Sequence, residues 1–252
     1  MMDPSRPCLL FFDWDNTLAV GGSVSGANRS ALAAAKAAGH RLVLNTGRSF
    51  GFIPTEAFAS AEWDGVIASC SYAAVRADEG YETIFEKYLS ADVLCRTLEY
   101  YRAHREALRL IRFECRDGVI SPDEDGLTDE VIRSCADEMK VSNVTVGADL
   151  TAFGDFPGEG GDLICHDTYS ELVVKGMHKG TLMPLFCEKF AIPAGQTVAF
   201  GDSINDEGMF LCAGTRVLIP GERFVRGEMI DVFADTREDG AAQTMRRLGL
   251  IR

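Results

Sequence analysis

Three short runs constrain the fold of this chain more than anything else in it. They are Leu9 to Phe12, Arg41 to Leu44 and Thr197 to Phe200. Each is largely apolar without alternation, as a strand covered on both faces would be. Each also stops abruptly at polar residues: Asp13-Trp14-Asp15-Asn16-Thr17, Asn45-Thr46-Gly47-Arg48, and Gly201-Asp202-Ser203-Ile204-Asn205-Asp206. Between the first two runs lies an alanine-rich helical stretch, Asn28 to Ala38, closed by Gly39 as a C-cap. Strand, helix, parallel strand is the unit that builds an α/β sheet. A further helix is expected over Phe52 to Ala61 and a further strand over Gly65 to Ala68.

From about Glu82 to Leu172 the pattern changes. Helices are predicted over Ser90 to His104 and Thr128 to Met139. Short strands are predicted over Leu108–Phe113, Val119–Ser121, Val144–Val146, Leu163–Cys165 and Leu172–Val174. This reads as an α+β module inserted into a doubly wound, Rossmann-like parallel sheet. The expected division is a core of residues 1–82 and 174–252 with a cap domain of 83–173. The core pattern then resumes with a helix over Thr181 to Phe190, the strand Thr197 to Phe200, a helix from Glu207 to Cys212, a strand at Val217 to Ile219 and a last helix from Asp239 to Leu248.

In an open α/β sheet, ligands bind beyond the carboxyl ends of the strands. That is where the polar clusters fall. Asp13 and Asp15 cannot both stay ionised in such a crevice without help, and a hard divalent cation with oxygen ligands is the usual help. Thr46 brings a hydroxyl, and Gly47 lets its backbone N–H approach an anion closely. Lys179 lies just before a predicted helix, the wrong end for a cation on dipole grounds, unless it and the helix N-terminus face one anion. Asp202 and Asp206 deliver two more carboxylates, with the amide of Asn205 between them.

Composition narrows the partners. The formal net charge of −13 over 252 residues disfavours nucleic acid and anionic membranes. No apolar run is long enough to span a bilayer, and Met1 to Pro7 lacks the apolar region of a secretory signal. Eight single cysteines form no CxxC pair and, with four scattered histidines, no zinc pattern; reduced thiols in a cytoplasmic protein are expected. Ser121 to Ile132 resembles a calcium loop at Asp123, Asp125 and Gly126 but lacks the closing glutamate. Gly158-Glu159-Gly160-Gly161 lacks the GK[ST] of a phosphate-binding loop, and Gly21 to Gly26 matches neither a dinucleotide fingerprint nor a serine-hydrolase elbow.

The joint order, strand–DxDxT, strand–TG, a helix-leading Lys and strand–GDxxND, resembles the haloacid dehalogenase superfamily. In particular it resembles the Cof-like sugar-phosphatase group, whose type C2 cap sits between the second and third motifs. The tail Glu238-Asp239-Gly240-Ala241 is similar to that group's final helix start. The resemblance implies a Mg²⁺-dependent phosphatase acting on a small phosphorylated metabolite, with sugar phosphates foremost. Asp13 would be the nucleophile and Asp15 the general acid and base. Thr46, Gly47, Lys179 and Asn205 would grip the phosphoryl oxygens. Mg²⁺ would be held by Asp13, the backbone carbonyl of Asp15, and Asp202, with Asp206 completing or orienting the shell.

A phosphomutase or phosphotransferase on the same aspartyl nucleophile, and a non-catalytic phosphate-sensing module, are the alternatives. The implied partner is a small-molecule substrate, with the chain a monomer or homodimer. Asn16 stands where the group has glycine, Ser71-Tyr72-Ala73 where it often has Asn-Gly-Ala, and Trp14 where it has an aliphatic residue. Trp14 would either wall the site or simply pack beside the strand end. Arg109, Arg112, Arg116 and His166 are the module's candidates for contacting the rest of a substrate.

Overall fold

A computed structural model describes residues 2–122, 126–148, 156, 159–165, 168–221 and 227–252. The Asp123 and Asp125 of the calcium-like loop, Gly158 and His166 lie outside the described residues. The chain divides into two compact units. The larger comprises Met1–Gly47, Ile53–Ile84 and His178–Arg252, and the smaller Arg48–Phe52 and Phe85–Met177.

The larger unit is built on a sheet whose centre is β1, Leu9–Phe12, with all four residues buried. On one side β1 pairs in parallel with β4, Arg41–Thr46, and β4 with β5, Gly65–Ala68. On the other it pairs in parallel with β13, Thr197–Gly201, followed by β14, Thr215–Leu218, and β15, Val232–Phe233. The hairpin strands β6, Tyr72–Arg76, and β7, Tyr81–Glu86, extend the sheet, with β6 antiparallel to β5. Order reverses beside β1: the chain leaves it toward β4 and later returns to its other edge as β13. Such a switch point opens a crevice at the carboxyl ends of the strands.

The apolar runs account for this placement. Phe12 stacks on Phe200 with ring centroids 4.5 Å apart, and Phe11 meets Phe186 edge-on at 6.2 Å. A core phenylalanine cut back to alanine costs about 3–5 kcal/mol, so Phe12→Ala alone would remove much of the stability of a domain this size. The first helix, α1, spans Gly26–Ala37; Ser25 caps it by accepting from the Asn28 N–H at 3.1 Å. Gly21 and Gly22, both with positive φ, turn a two-stranded ribbon between β2, Ala19–Val20, and β3, Ser23–Val24.

The helix expected over 52–61 is shorter. A 3₁₀ turn covers Phe50–Phe52 and α2 runs only from Thr55 to Ser60. Pro54 stands between them; its ring disfavours helical conformation in the residue before it. The hairpin of β6 and β7 carries no strict alternation of buried and exposed residues, so the sequence pattern does not signal it.

Among the described residues, the smaller unit holds a separate five-stranded antiparallel sheet. Its strands are β8, Ile111–Cys115, β9, Val119–Ile120, β10, Val141–Val146, β11, Gly161–Cys165, and β12, Ser170–Val174. Two helices accompany it: α3, Ala91–Ala103, and α4, Asp129–Met139, capped by Ser90 and Thr128. Ile111, Phe113 and Cys115 are buried, whereas Arg112 is exposed and Glu114 half-buried, so β8 sorts its faces by period two. The Gly51 N–H donates to the Arg116 carbonyl at 2.7 Å, which ties Arg48–Phe52 to this unit. The architecture is α/β: a large, mainly parallel sheet with helices, and a small α+β unit encoded within it. Among the described residues, no helix is long and apolar enough to cross a membrane.

Candidate active site

Three carboxylates and one ammonium meet at the carboxyl ends of β1 and β13. Asp13 follows β1 directly and is 4% exposed; its N–H donates to the Phe200 carbonyl at 2.9 Å, extending the ladder by one bond. The Lys179 ammonium donates to Asp13 Oδ1 at 2.6 Å and to Asp206 Oδ1 at 2.7 Å. Lys179 is 2% exposed and Asp206 wholly buried.

Asp206 spends its second oxygen on the loop that carries Asp202, accepting from the N–H groups of Asp202 at 2.9 Å and Ser203 at 3.1 Å. Both of its oxygens are therefore engaged, and Asp206 holds the lysine and the loop in register. Gly201 permits this: a Cβ there would lie 2.5 Å from Asp206 Cγ.

The sequence puts Lys179 at or just before a helix start, where its charge fits only if it and the helix N-terminus face one anion. The helix α5, Met183–Phe190, begins four residues later, delayed to the turn that holds Pro184, and the ammonium answers two carboxylates. Burial works against its charge, but Asp13 and Asp206 outweigh burial and hold its pKa above the ordinary lysine range. Burial first, then the neighbouring charges of Asp206 and Asp202, push Asp13 up to about 7, although Lys179 pulls the other way. Asp202 is pushed up to about 6 by burial and Asp206. These shifts mark a site short of positive charge: three acids face one ammonium.

Thr17, inside the DxDxT run, adds to that picture through contacts that nothing local in the sequence signals. Its Oγ1 lies 3.2 Å from Asp13 Oδ2 and 3.3 Å from Asp202 Oδ1. A hydroxyl has one proton to give, so it cannot donate to both acids at once. One carboxylate oxygen from each of Asp13, Asp202 and Asp206 lies within 4.8 Å of the other two. Oxygen donors of net negative charge at that spacing fit a hard divalent cation such as Mg²⁺.

The remaining sequence candidates lie at or just after the ends of β1, β4 and β13. Asp15 and Asn16 are exposed in the turn after Asp13. Asn16 adopts φ +60°, the left-handed region that asparagine tolerates, and its N–H donates to the Ala19 carbonyl at 2.9 Å. Trp14 is buried, only 1% exposed. Thr46 is buried at the end of β4, and a Cβ on the next residue, Gly47, would meet nothing within 4 Å, so space is open beside it. Asn205 is half-buried, and Ser203 Oγ donates to its Oδ1 at 2.6 Å.

In the smaller unit, Thr145 Oγ1 donates to Glu114 Oε1 at 2.8 Å, and the side chain of Asn143 also bonds that carboxyl. Burial raises the pKa of Glu114, opposed by the Thr145 bond. Asn143 Oδ1 is buried without a hydrogen-bond partner. Of the four candidates on this unit, Arg112 is exposed, and Arg116 pairs with Glu86 at 3.6 Å and Asp117 at 3.5 Å. Arg109 is also exposed.

The fold and this centre define a Rossmann-like α/β protein with a buried acid–lysine cluster at its topological switch point. The family model described as haloacid dehalogenase-like hydrolase matches residues 10–146 and 164–221, and the chain belongs to that family. Solved structures share its fold at low identity. The phosphatase BT1666 of the haloalkanoate (HAD) enzyme superfamily, from Bacteroides thetaiotaomicron, is 21% identical, with 98% of this chain and 97% of that one covered and a TM-score of 0.80. The HAD subclass IIB sugar phosphatase BT4131 is 19% identical over 97% of this chain and 100% of its own, with a TM-score of 0.77. TM0651 from Thermotoga maritima is 18% identical over 96% and 97%, with a TM-score of 0.75. No curated protein matches the chain.

Proposed function

We propose that the chain is a phosphomonoesterase that hydrolyses a small phosphorylated metabolite, a sugar phosphate foremost, through an aspartyl phosphate on Asp13. The observation that carries this reading is the Asp13 carboxylate held between the Lys179 ammonium and the Thr17 hydroxyl, at a site short of positive charge.

An anionic carboxylate approaching a phosphate dianion is opposed by like charge, and the site offsets that repulsion locally. Lys179 neutralises one oxygen of Asp13 and leaves the other, toward Thr17, as the attacking atom. Asp13 and Asp202, with the carbonyl of Asp15, would hold Mg²⁺, and Asp206 orients Lys179 and the Asp202 loop. Bound Mg²⁺ supplies Lewis-acid stabilisation of the phosphoryl charge. Thr46 Oγ1, the Gly47 N–H and the Asn205 amide grip the phosphoryl oxygens. Asp15, exposed in the turn after the nucleophile, protonates the leaving oxygen and then takes a proton from the attacking water.

Phosphate release from a panel of phosphorylated metabolites with Mg²⁺ tests the reading. Turnover abolished by EDTA is expected, and no release from any ester would overturn it. A phosphotransferase on the same nucleophile is separated by running the reaction in ¹⁸O water, since only hydrolysis puts solvent oxygen into the phosphate. A phospho-Asp13 that persists for hours without turnover would instead mark a phosphate sensor.

A further inference from the structure

Asn45 stands one residue before Thr46 at the end of β4 and is wholly buried. Its Nδ2 donates to the backbone carbonyl of Lys179 at 2.8 Å and lies 3.3 Å from Met209 Sδ. Its Oδ1 is buried and has no hydrogen-bond partner. A half-satisfied amide is a poor way to fill a core, because the orphaned oxygen has given up its water for nothing. Leucine has nearly the same size and would leave no such orphan.

What the amide does provide is a hold on one particular residue. Lys179 is gripped at its tip by Asp13 and Asp206, and at its main chain by β4 through Asn45. Its neighbourhood is otherwise set by close packing: a Cβ on Gly180 would lie 2.0 Å from the Gly208 carbonyl.

We infer that Asn45 is a positioning residue, which fixes the main chain of Lys179 to the strand that carries Thr46 and so sets the place of the ammonium relative to Asp13. The inference rests on the phosphatase reading for its kinetic arm and not for its binding arm. If the Lys179 backbone is released, the ammonium still finds Asp13 and Asp206, but no longer at a fixed height. A lysine that stabilises charge developing in transfer then acts on kcat more than on KM. A misplacement on the order of 1 Å costs about a hundredfold in rate.

The test uses Asn45→Leu, with Met209→Leu as a control that alters the same packing without touching the Lys179 bond. Melting temperature, kcat and KM for p-nitrophenyl phosphate with Mg²⁺, and affinity for inorganic phosphate by calorimetry are measured on each. Asn45→Leu is expected to melt within a few degrees of the wild type or above it, to lose about a hundredfold in kcat with a smaller rise in KM, and to bind phosphate more weakly. Met209→Leu is expected to match the wild type in all of these. Unchanged kcat in Asn45→Leu overturns the inference. So does a fall in kcat accompanied by a large fall in melting temperature and repeated in Met209→Leu, which would mark plain packing. If the wild type turns over no ester at all, the phosphatase reading fails instead; phosphate affinity then decides, and equal affinity or none in both proteins overturns the role of Asn45.

Discussion

The Lys179 ammonium lies 2.6 Å from Asp13 Oδ1, and both side chains are almost sealed from solvent. Removing one partner of such a pair leaves a buried charge uncompensated, at a cost of about 3–5 kcal/mol. Lys179→Met is therefore expected to lower stability by that order and to abolish phosphate release. Denaturant unfolding at pH 8, where the acids are ionised, checks the first part. A variant as stable as the wild type at that pH would mean the acids had found another counter-charge.

Asp13→Asn has the opposite expectation for stability. It removes one of three crowded acids and leaves Lys179 its bond to Asp206. Without Mg²⁺ the variant should melt no lower than the wild type while showing no turnover, the trade expected of a strained functional site. Parallel melting and phosphate-release assays read both. Full turnover would remove Asp13 from its role.

The metal-free protein should lose stability as pH rises. Asp13 and Asp202 titrate in the fold at about 7 and about 6, against about 4 for an unfolded aspartate. The folded state thus binds more protons across that interval. The stabilisation is full below about pH 4 and is lost as pH climbs through the two folded values. A divalent cation competes with those protons, so added Mg²⁺ should raise the melting temperature more at pH 8 than at pH 5.5, and binding near pH 6 should release protons. Equal Mg²⁺ shifts at both pH values would contradict the assignment of these acids as ligands.

Much of this was legible in the sequence because one property was repeated. The runs at Leu9, Arg41 and Thr197 are buried on both faces, so they lack alternation, and the crevice collects polar residues wherever such strands end. The edge of the sheet was less visible: β6 and β7 form a hairpin without the strict alternation that identifies a half-buried strand. Thr17 and Asn45 were missed as functional groups for a different reason. A threonine in a turn and an asparagine at a strand end have ordinary local explanations, and their contacts with Asp202 and Lys179 are 185 and 134 residues away in the chain. Lys179 stood out because its charge was wrong for a helix start, but its partners proved to be carboxylates rather than the helix end.

The stereochemical course at phosphorus tests the central claim most directly, with p-nitrophenyl phosphate made chiral by oxygen isotopes and a phosphoryl acceptor alcohol supplied in place of water. Attack by Asp13 followed by a second in-line displacement inverts the centre twice, so the product should show overall retention. Inversion would mean a single direct displacement, with no phosphoryl group ever carried by Asp13.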